Sequence, residues 1–284
     1  MRSFFVGKRR KAVASAAAVI YNQDVIVPGT EEEIMIKVEK IQIPQLPTKK
    51  PRRLYVYLPR GYARSEERYP VLYMFDGHNV FYDSHAAFGK SWGMKEHLEK
   101  YGPELILVAV ECNHEGFRRL NEYTPWSFSN RRFGTFEAEG RTTMEWFTKE
   151  LKPRMDSEYR TLPEREHTLI AGSSMGGLMS IYAAVEYNDV FSRAAALSPS
   201  LWVDPKAMRA MIKNSALASP TRIYLDMGDA EADGRYHKSS RLFDTAKLLS
   251  AAGADVAARV VPGGRHCEAD WEKRIGVFFD YLLG

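Results

Sequence analysis

Cysteines and long apolar runs are both scarce in this sequence. Its 284 residues include two cysteines, Cys112 and Cys267, which are too few for a disulfide framework and lack the spacing of a zinc motif. No stretch approaches the roughly 18 apolar residues that a membrane span requires. We therefore expect neither a disulfide scaffold nor a membrane partner, and we expect Cys112 to be a buried thiol.

An excess of one charge sign is absent as well. Lysine and arginine number 40 against 36 acidic residues, a net charge of +4. Many of the basic residues fall in three short clusters: Lys8 to Lys11, Lys49 to Arg53, and Arg131 with Arg132. A nucleic-acid interface needs a larger basic stripe, so we interpret these clusters as solvated surface and expect no nucleic-acid partner.

The N-terminal segment allows two interpretations. Lys8 to Lys11 precede the alanine-rich stretch Ala12 to Ile20, an arrangement similar to a signal peptide, and Val13 to Ala16 resembles a cleavage site. We favour a cytoplasmic protein in which residues 1–30 form an extension or an edge strand. In the alternative, residues 1–20 direct secretion.

Composition and periodicity predict an α/β fold. Hydrophobic residues make up 45% of the chain and charged residues 27%, which excludes wholesale disorder. Short apolar runs such as Val71 to Phe75, Leu105 to Val110 and His167 to Ala171 are typical of strands covered on both faces of a parallel sheet. Strands alternating with helices predict a doubly wound sheet with helices on both faces. Because we find no linker, we expect residues 1–284 to form one domain.

The remaining predicted elements complete this pattern. Two strands with no helix between them should form an antiparallel N-terminal edge: Ile34 to Ile43 and Leu54 to Leu58. Three more strands are predicted at Ala194 to Leu197, Arg222 to Asp226 and Val256 to Val261. Helices are predicted at Trp92 to Glu99, Thr142 to Tyr159, Met175 to Tyr187, Ser239 to Ala252 and Glu268 to Leu283.

The segment around Ser174 carries the strongest chemical signal. Gly172 to Gly176 forms a G-x-S-x-G motif directly after an apolar strand and directly before a helical pattern. Its glycines permit a sharp strand-to-helix turn that raises the Ser174 hydroxyl above the sheet. The N-terminus of the following helix supplies N–H donors for a developing oxyanion. We therefore predict that Ser174 is a nucleophile.

A serine nucleophile needs a base to take its proton. In the hydrolase order the histidine comes last, and only His237 and His266 follow Ser174. His266 lies in a glycine turn between the last predicted strand and the last helix, whereas His237 lies in a polar stretch without such turn residues. We therefore predict His266 as the base.

The acid that orients the base should follow the strand that ends at Asp226. Asp229 and Glu231 both lie just past Gly228, where a loop can turn towards His266. Either carboxylate can hold the imidazole tautomer and stabilise the imidazolium. Spacing alone does not choose between them, and a serine–histidine dyad is a further alternative.

Five ordered segments point to a known family. They are Tyr69 to Asn79, Asn121 to Trp126 (an EYTPW-like segment), Gly172 to Gly177, Leu197 to Trp202, and Gly263 to Trp271. Together they resemble the esterase D-like family of α/β-hydrolases, which includes feruloyl and acetylxylan esterases, enterochelin-type siderophore esterases and mycolyltransferases. The resemblance runs from about Leu54 to the C-terminus and implies an α/β-hydrolase fold.

The resemblance also implies a catalytic set and an oxyanion hole. The catalytic set is Ser174 as nucleophile, His266 as base and Glu231 as acid. The oxyanion hole is the backbone N–H of Met175 with one N–H from the loop at Gly77 or His78. Many relatives carry glutamine where this chain has His78, so the effect of this second imidazole on substrate preference is open.

Aromatic side chains cluster in the predicted loops, where rings suit stacking against a sugar or a phenolic acyl group. We expect four of them to bind substrate: Trp92, Tyr123, Trp126 and Trp202. We expect Trp146 and Trp271, which fall within predicted helices, to pack in the core.

These features predict a serine carboxylic-ester hydrolase that acts through an acyl-enzyme and needs no metal or organic cofactor. The expected substrates are small-molecule or oligosaccharide esters, namely acyl esters of sugars or phenolic acids. One alternative is a siderophore trilactone esterase, in which four arginines would hold an anionic ferric complex: Arg118, Arg119, Arg131 and Arg132. An alternative from another class is a catalytically inactive hydrolase fold that acts as a binding module.

Overall fold

One twisted sheet runs through the part of the chain that the structure describes. The structure, a computed structural model, describes residues 34–48, 50–131, 134–231 and 237–284. The predicted extension or edge strand over residues 1–30 and its signal-like segment lie outside the described residues.

The sheet has eight strands in the order β1-β2-β4-β3-β7-β8-β9-β10. Their bounds are β1 (Met35–Ile41), β2 (Arg52–Leu58), β3 (Val71–Met74), β4 (Ile106–Val110), β7 (Thr168–Ser173), β8 (Arg193–Leu197), β9 (Arg222–Gly228) and β10 (Asp255–Val261). Only the β1–β2 and β2–β4 pairs in this sheet are antiparallel. The predicted mostly parallel sheet with an antiparallel N-terminal edge is confirmed.

The helices follow the predicted pattern, with two further helices and one small β-hairpin that the sequence analysis did not predict. Their bounds are α1 (Met94–Tyr101), α2 (Arg118–Glu122), α3 (Gly140–Trp146), α4 (Lys152–Glu158), α5 (Met175–Glu186), α6 (Pro205–Lys213), α7 (His237–Ala251), α8 (Glu268–Glu272) and α9 (Ile275–Leu283). A π-helical turn, Phe147–Leu151, joins α3 to α4. The additions are α2, α6 and a small hairpin of β5 (Phe128–Asn130) and β6 (Gly134–Phe136).

The last predicted helix, Glu268 to Leu283, is divided into α8 and α9. The division falls at Lys273 and Arg274, and the Arg274 side chain turns into the protein interior. No helix in the described ranges is long and apolar enough to cross a membrane.

Apolar side chains pack on both faces of the sheet. Along β2, Leu54 and Val56 join one apolar cluster with α3 and α5, whereas Tyr55 and Tyr57 join a second cluster with α1 and α9. A strand covered on both sides has no solvated face. This explains why the central strands read as continuous apolar runs.

A buried ion pair ties the start of β2 to α2. The side chains of Arg52 and Glu122 are 5% and 1% exposed. Arg52 Nη1 donates to Glu122 Oε2 at 2.7 Å, and Nη2 donates to the other carboxylate oxygen. The backbone N–H of Asn113 also donates to Glu122 Oε2, at 3.1 Å. Both charges are therefore compensated inside the protein.

We predict that Arg52→Ala lowers the free energy of unfolding by about 3–5 kcal/mol, because it leaves the Glu122 carboxylate buried without a cation. Arg154→Ala is the control, since Arg154 and its partner Glu39 are both more than a third exposed and such pairs contribute about 0–1 kcal/mol. Urea denaturation of both variants measures the effect. Equal losses in the two variants would contradict the prediction.

Candidate active site

Ser174 lies at the turn between β7 and α5, as predicted. Its backbone has φ 57° and ψ −118°, in a region that side-chain-bearing residues rarely adopt. The turn brings the backbones of Gly172 and Gly176 together, and a Cβ atom on Gly172 would lie 2.7 Å from the carbonyl carbon of Gly176. Only glycine at position 172 permits this approach.

The end of β8 and the segment that follows it hold the turn in place. The Ser174 N–H donates to the Leu197 carbonyl at 3.0 Å, and the Ser200 N–H donates to the Ser174 carbonyl at 2.9 Å. The Ser174 hydroxyl oxygen lies 3.5 Å from the Ser200 hydroxyl oxygen. The sequence motif did not single out Ser200, because its contact depends on the pairing of β7 with β8.

The predicted oxyanion donors follow two neighbouring strands. Gly77 and His78 come after β3, Met175 comes after β7, and these strands pair in parallel, so both segments lie at the carboxyl edge of the sheet. Within the described ranges, the N–H groups of these three residues donate to no protein acceptor. They are thus available to a ligand.

Asp76 fixes the loop that carries Gly77 and His78. Arg119 donates to both of its carboxylate oxygens, from Nε at 2.7 Å and from Nη2 at 2.6 Å. The Asp76 N–H donates to the Tyr123 hydroxyl at 3.2 Å. Burial opposes ionisation of Asp76, but the charge and hydrogen bonds of Arg119 outweigh it and lower the carboxyl pKa.

Glu231 is the carboxylate that contacts His266. Glu231 Oε2 lies 3.0 Å from His266 Nδ1, and the Glu231 side chain is 3% exposed, against 42% for His266. Asp229, the alternative acid, instead accepts a hydrogen bond from the Gly263 N–H at 2.7 Å. The structure therefore pairs His266 with Glu231.

Three contacts set the ionisation of Glu231. Burial opposes the charged form, but hydrogen bonds from His266, Ser198 and the Gly228 N–H outweigh it and hold the pKa of Glu231 below its ordinary value. The Gly228 N–H donates at 2.7 Å. The ionised Glu231 carboxylate can therefore accept a hydrogen bond from the Nδ1–H group of His266.

A buried arginine that the sequence analysis missed supports this acid. Arg274 is 2% exposed, and its Nη1 donates to Asp226 Oδ1 at 3.0 Å and to Ser198 Oγ at 3.1 Å. The same nitrogen lies 3.6 Å from Glu231 Oε1. The available signal was weak, because Arg274 is the last of three consecutive charged residues, 272–274, that precede the mostly apolar run 275–279.

Trp271 joins the same network. Its Nε1–H donates to Ser198 Oγ at 2.9 Å, and its ring centroid lies 5.1 Å from that of His266. The expectation that Trp271 packs in the core is confirmed, since it is 4% exposed. The Trp271 ring also packs edge to face against the His266 imidazole.

No hydrogen bond joins the predicted nucleophile Ser174 to the predicted base His266 in the part of the chain that the structure describes. Among the described residues, the Ser174 hydroxyl has Ser200 as its partner, and the hydrogen bond of His266 goes to Glu231. All three predicted residues follow parallel strands at one edge of the sheet. Such catalytic hydrogen bonds are often long without substrate and tighten in the complex.

The predicted substrate-binding aromatics separate into two groups. Trp92 is 2% exposed and packs against Trp271 and Phe278, so it belongs to the core and not to a substrate surface. Tyr123 is also buried and holds Asp76, so its role is to position the loop.

Trp126 and Trp202 keep exposed surface. Trp126 is half-buried beside Tyr182, with a centroid distance of 6.2 Å. Trp202 is 37% exposed, and its ring meets Phe128 edge to face at 5.6 Å. Because Trp202 lies two residues after Ser200, it is near the Ser174 turn.

Comparison with known proteins identifies the family. The sequence model of the esterase family, described as "Putative esterase", matches residues 47–277. The chain belongs to this esterase family. The predicted resemblance and the predicted esterase activity are thereby confirmed.

Two relatives illustrate the family. The uncharacterized protein YbbA of Bacillus subtilis strain 168 is 27% identical over 182 residues, which cover 63% of this chain and 69% of YbbA. An endo-1,4-beta-xylanase/feruloyl esterase of Xylanibacter ruminicola is 26% identical over 234 residues, which cover 77% of this chain. The matched region is only 27% of the length of that protein.

Solved structures share the fold. The IroE-like serine hydrolase of Shewanella oneidensis is similar with a TM-score of 0.67 and 22% identity, covering 88% of this chain and 79% of that one. The enterobactin and salmochelin hydrolase IroE has a TM-score of 0.64 and 16% identity, covering 88% and 96%. The predicted α/β-hydrolase fold is confirmed.

We predict that the stabilising effect of the Glu231 charge disappears in acid. Because the folded-state pKa of Glu231 is lowered, its ionised form adds stability above the ordinary glutamate pKa of about 4.3, and this contribution is lost as the pH falls through the folded-state value. Urea denaturation should show Glu231→Gln less stable than the wild type at neutral pH, with the difference shrinking below about pH 4. A difference in the free energy of unfolding that stays constant down to pH 3, about one unit below the ordinary glutamate pKa, would contradict this prediction.

Proposed function

We propose that this esterase is a serine carboxylic-ester hydrolase acting through an acyl-enzyme, with Ser174, His266 and Glu231 as nucleophile, base and acid. The observation that carries the proposal is the 3.0 Å contact between Glu231 Oε2 and His266 Nδ1. The contact between Glu231 and His266 lies at the carboxyl edge of the parallel strands, and Ser174 lies at the same edge on its strained turn.

The first half of the reaction forms the acyl-enzyme. Glu231 accepts the Nδ1–H of His266, which leaves the Nε2 lone pair to take the Ser174 proton. The serine oxygen attacks the ester carbonyl carbon, and N–H groups of Met175 and of Gly77 or His78 stabilise the negative oxygen of the tetrahedral intermediate. As the intermediate collapses, His266 Nε2–H protonates the leaving alcohol.

The second half releases the acid. Water gives a proton to His266 Nε2 and attacks the acyl carbon, forming a second tetrahedral intermediate in the same oxyanion hole. The bond to Ser174 breaks, and the serine oxygen recovers the proton from His266. The products are a carboxylic acid and the free enzyme.

For the substrate, we propose acyl esters of sugars or phenolic acids. The exposed faces of Trp202 and Phe128 near the Ser174 turn can stack against a sugar or a phenolic ring. The feruloyl esterase relative is consistent with this class.

A siderophore trilactone is the second candidate, and likeness to the hydrolase IroE favours it. An anionic ferric complex needs several cations, however, and Arg119 is engaged by Asp76 while Arg118 pairs with Glu139 at 3.5 Å. Arg131 is exposed, and Arg132 lies outside the described residues. The charges thus favour the sugar or phenolic ester.

We predict that Ser174→Ala folds normally but lowers p-nitrophenyl acetate turnover by about 10⁴- to 10⁶-fold, because it removes the nucleophile. The matched control is Ser173→Ala, the neighbouring serine, which is buried in β7 and should keep activity within about tenfold. Labelling by a fluorophosphonate probe should require Ser174. Labelling of neither the wild type nor the control would instead support an inactive binding module.

We predict that the wild type prefers feruloyl and acetyl-sugar esters over an enterobactin-type trilactone. Comparing kcat/KM across these three substrate types measures the preference, with Ser174→Ala giving the background for each. A preference for the trilactone would instead support the siderophore candidate.

We predict that Trp202→Ala weakens feruloyl ester turnover mainly by raising KM, because the Trp202 ring would stack against the acyl group. Measuring kcat and KM separately for the feruloyl ester tests this.

A further inference from the structure

Three metal-ligating side chains meet beside the oxyanion loop. His78, Cys112 and His114 each offer one ligand atom, and these atoms lie within 4.8 Å of one another. His78 follows β3, and Cys112 and His114 follow β4, its parallel neighbour. The proposed ester hydrolysis uses none of these three side chains.

The His78 side chain has an unpartnered nitrogen inside the protein. His78 is 3% exposed, and its Nδ1 has no hydrogen-bond partner in the described part of the chain. A buried polar atom without a partner costs free energy, so it calls for a physical reason. A metal ion, which accepts the lone pair of a neutral imidazole nitrogen, supplies one.

His114 is already oriented as a ligand. Its Nε2 lies 3.0 Å from Glu111 Oε1, and Arg53 holds the same carboxylate through its backbone N–H and Nη2, each at 2.7 Å. Because a carboxylate only accepts, His114 Nε2 must donate, which leaves the lone pair on Nδ1. A carboxylate on the second ring nitrogen is typical of metal-bound histidines.

The donor set selects the class of ion. Two imidazoles and one thiolate favour zinc-like ions over magnesium or calcium, which prefer oxygen. Three protein ligands leave a fourth position for water. Cys112 and His78 are buried, whereas the His114 side chain is about half exposed and opens the cluster to solvent.

We propose that His78, Cys112 and His114 form a binding site for a zinc-class divalent ion. Binding replaces the Cys112 S–H bond with a sulfur–metal bond and releases the thiol proton to solvent. The ion would connect the loop after β3 to the segment that follows β4. It is not a cofactor of ester hydrolysis, so the proposal stands apart from the proposed function.

The test uses the full chain after treatment with a chelator. Equilibrium dialysis with Zn²⁺ should give one ion bound per chain, and Co²⁺ should produce the near-ultraviolet charge-transfer band of a cobalt–thiolate bond. His114→Ala, at an exposed position, should weaken Zn²⁺ binding by at least about 100-fold, because loss of even an outer contact costs about 10- to 100-fold.

The cysteine variants decide which thiol binds. Cys112→Ser should abolish the cobalt–thiolate band, and Cys267→Ser, which changes the second free cysteine, should retain it. If Cys112→Ser does not fold, His114→Ala decides alone. Absence of stoichiometric Zn²⁺ binding, equal affinity in His114→Ala, or loss of the band in Cys267→Ser would each overturn the proposal.

Discussion

The buried guanidinium of Arg274 is the interaction on which the candidate site depends. It lies between two enclosed carboxylates, Asp226 and Glu231, that would otherwise repel each other. Burial raises the pKa of Asp226 even with Arg274 beside it, whereas the pKa of Glu231 is lowered. One cation thus supports two acids, and the acid that faces His266 is the one whose charged form is favoured.

Buried charge also organises the opposite side of the site. Asp76 and Arg119 fix the loop of the predicted oxyanion donors, much as Arg274 fixes the acid. The Ser174 turn between them is held by backbone hydrogen bonds to Leu197 and Ser200. Because each of these contacts joins segments that follow different strands, the relative positions of the candidate site residues follow from the register of the sheet.

Local pattern was sufficient to predict most of the fold and to single out the candidate residues that the structure places at one edge of the sheet. The central strands are buried on both faces, so each of them appears in the sequence as a continuous apolar run. The Ser174 motif and the glycine turn before His266 each lie within a few consecutive residues, so both can be recognised without knowledge of the fold. Spacing alone did not choose between Asp229 and Glu231 as the acid. In the structure Glu231 contacts His266, which lies 35 residues further along the chain.

Features that depend on distant contacts could not be predicted. Arg274 reads in the sequence as an ordinary helix charge, and only the packing of α9 brings it to Asp226. Trp92 was expected at the substrate but packs on Trp271, because a tryptophan in a loop has the same local pattern in either environment. The cluster of His78, Cys112 and His114 needs the pairing of β3 with β4.

The chain order of the site has a consequence for synthesis. Ser174 and its turn are synthesised before His266. His266 follows β10, the outermost parallel strand of the described sheet, which pairs with β9 along its whole length from Asp255 to Val261. A nascent chain that has completed the turn therefore carries Ser174, the proposed nucleophile, without His266, its proposed base. Under the proposed mechanism, turnover begins only after β10 has paired with β9 and placed His266, so the appearance of activity would report completion of this edge of the sheet rather than formation of its centre.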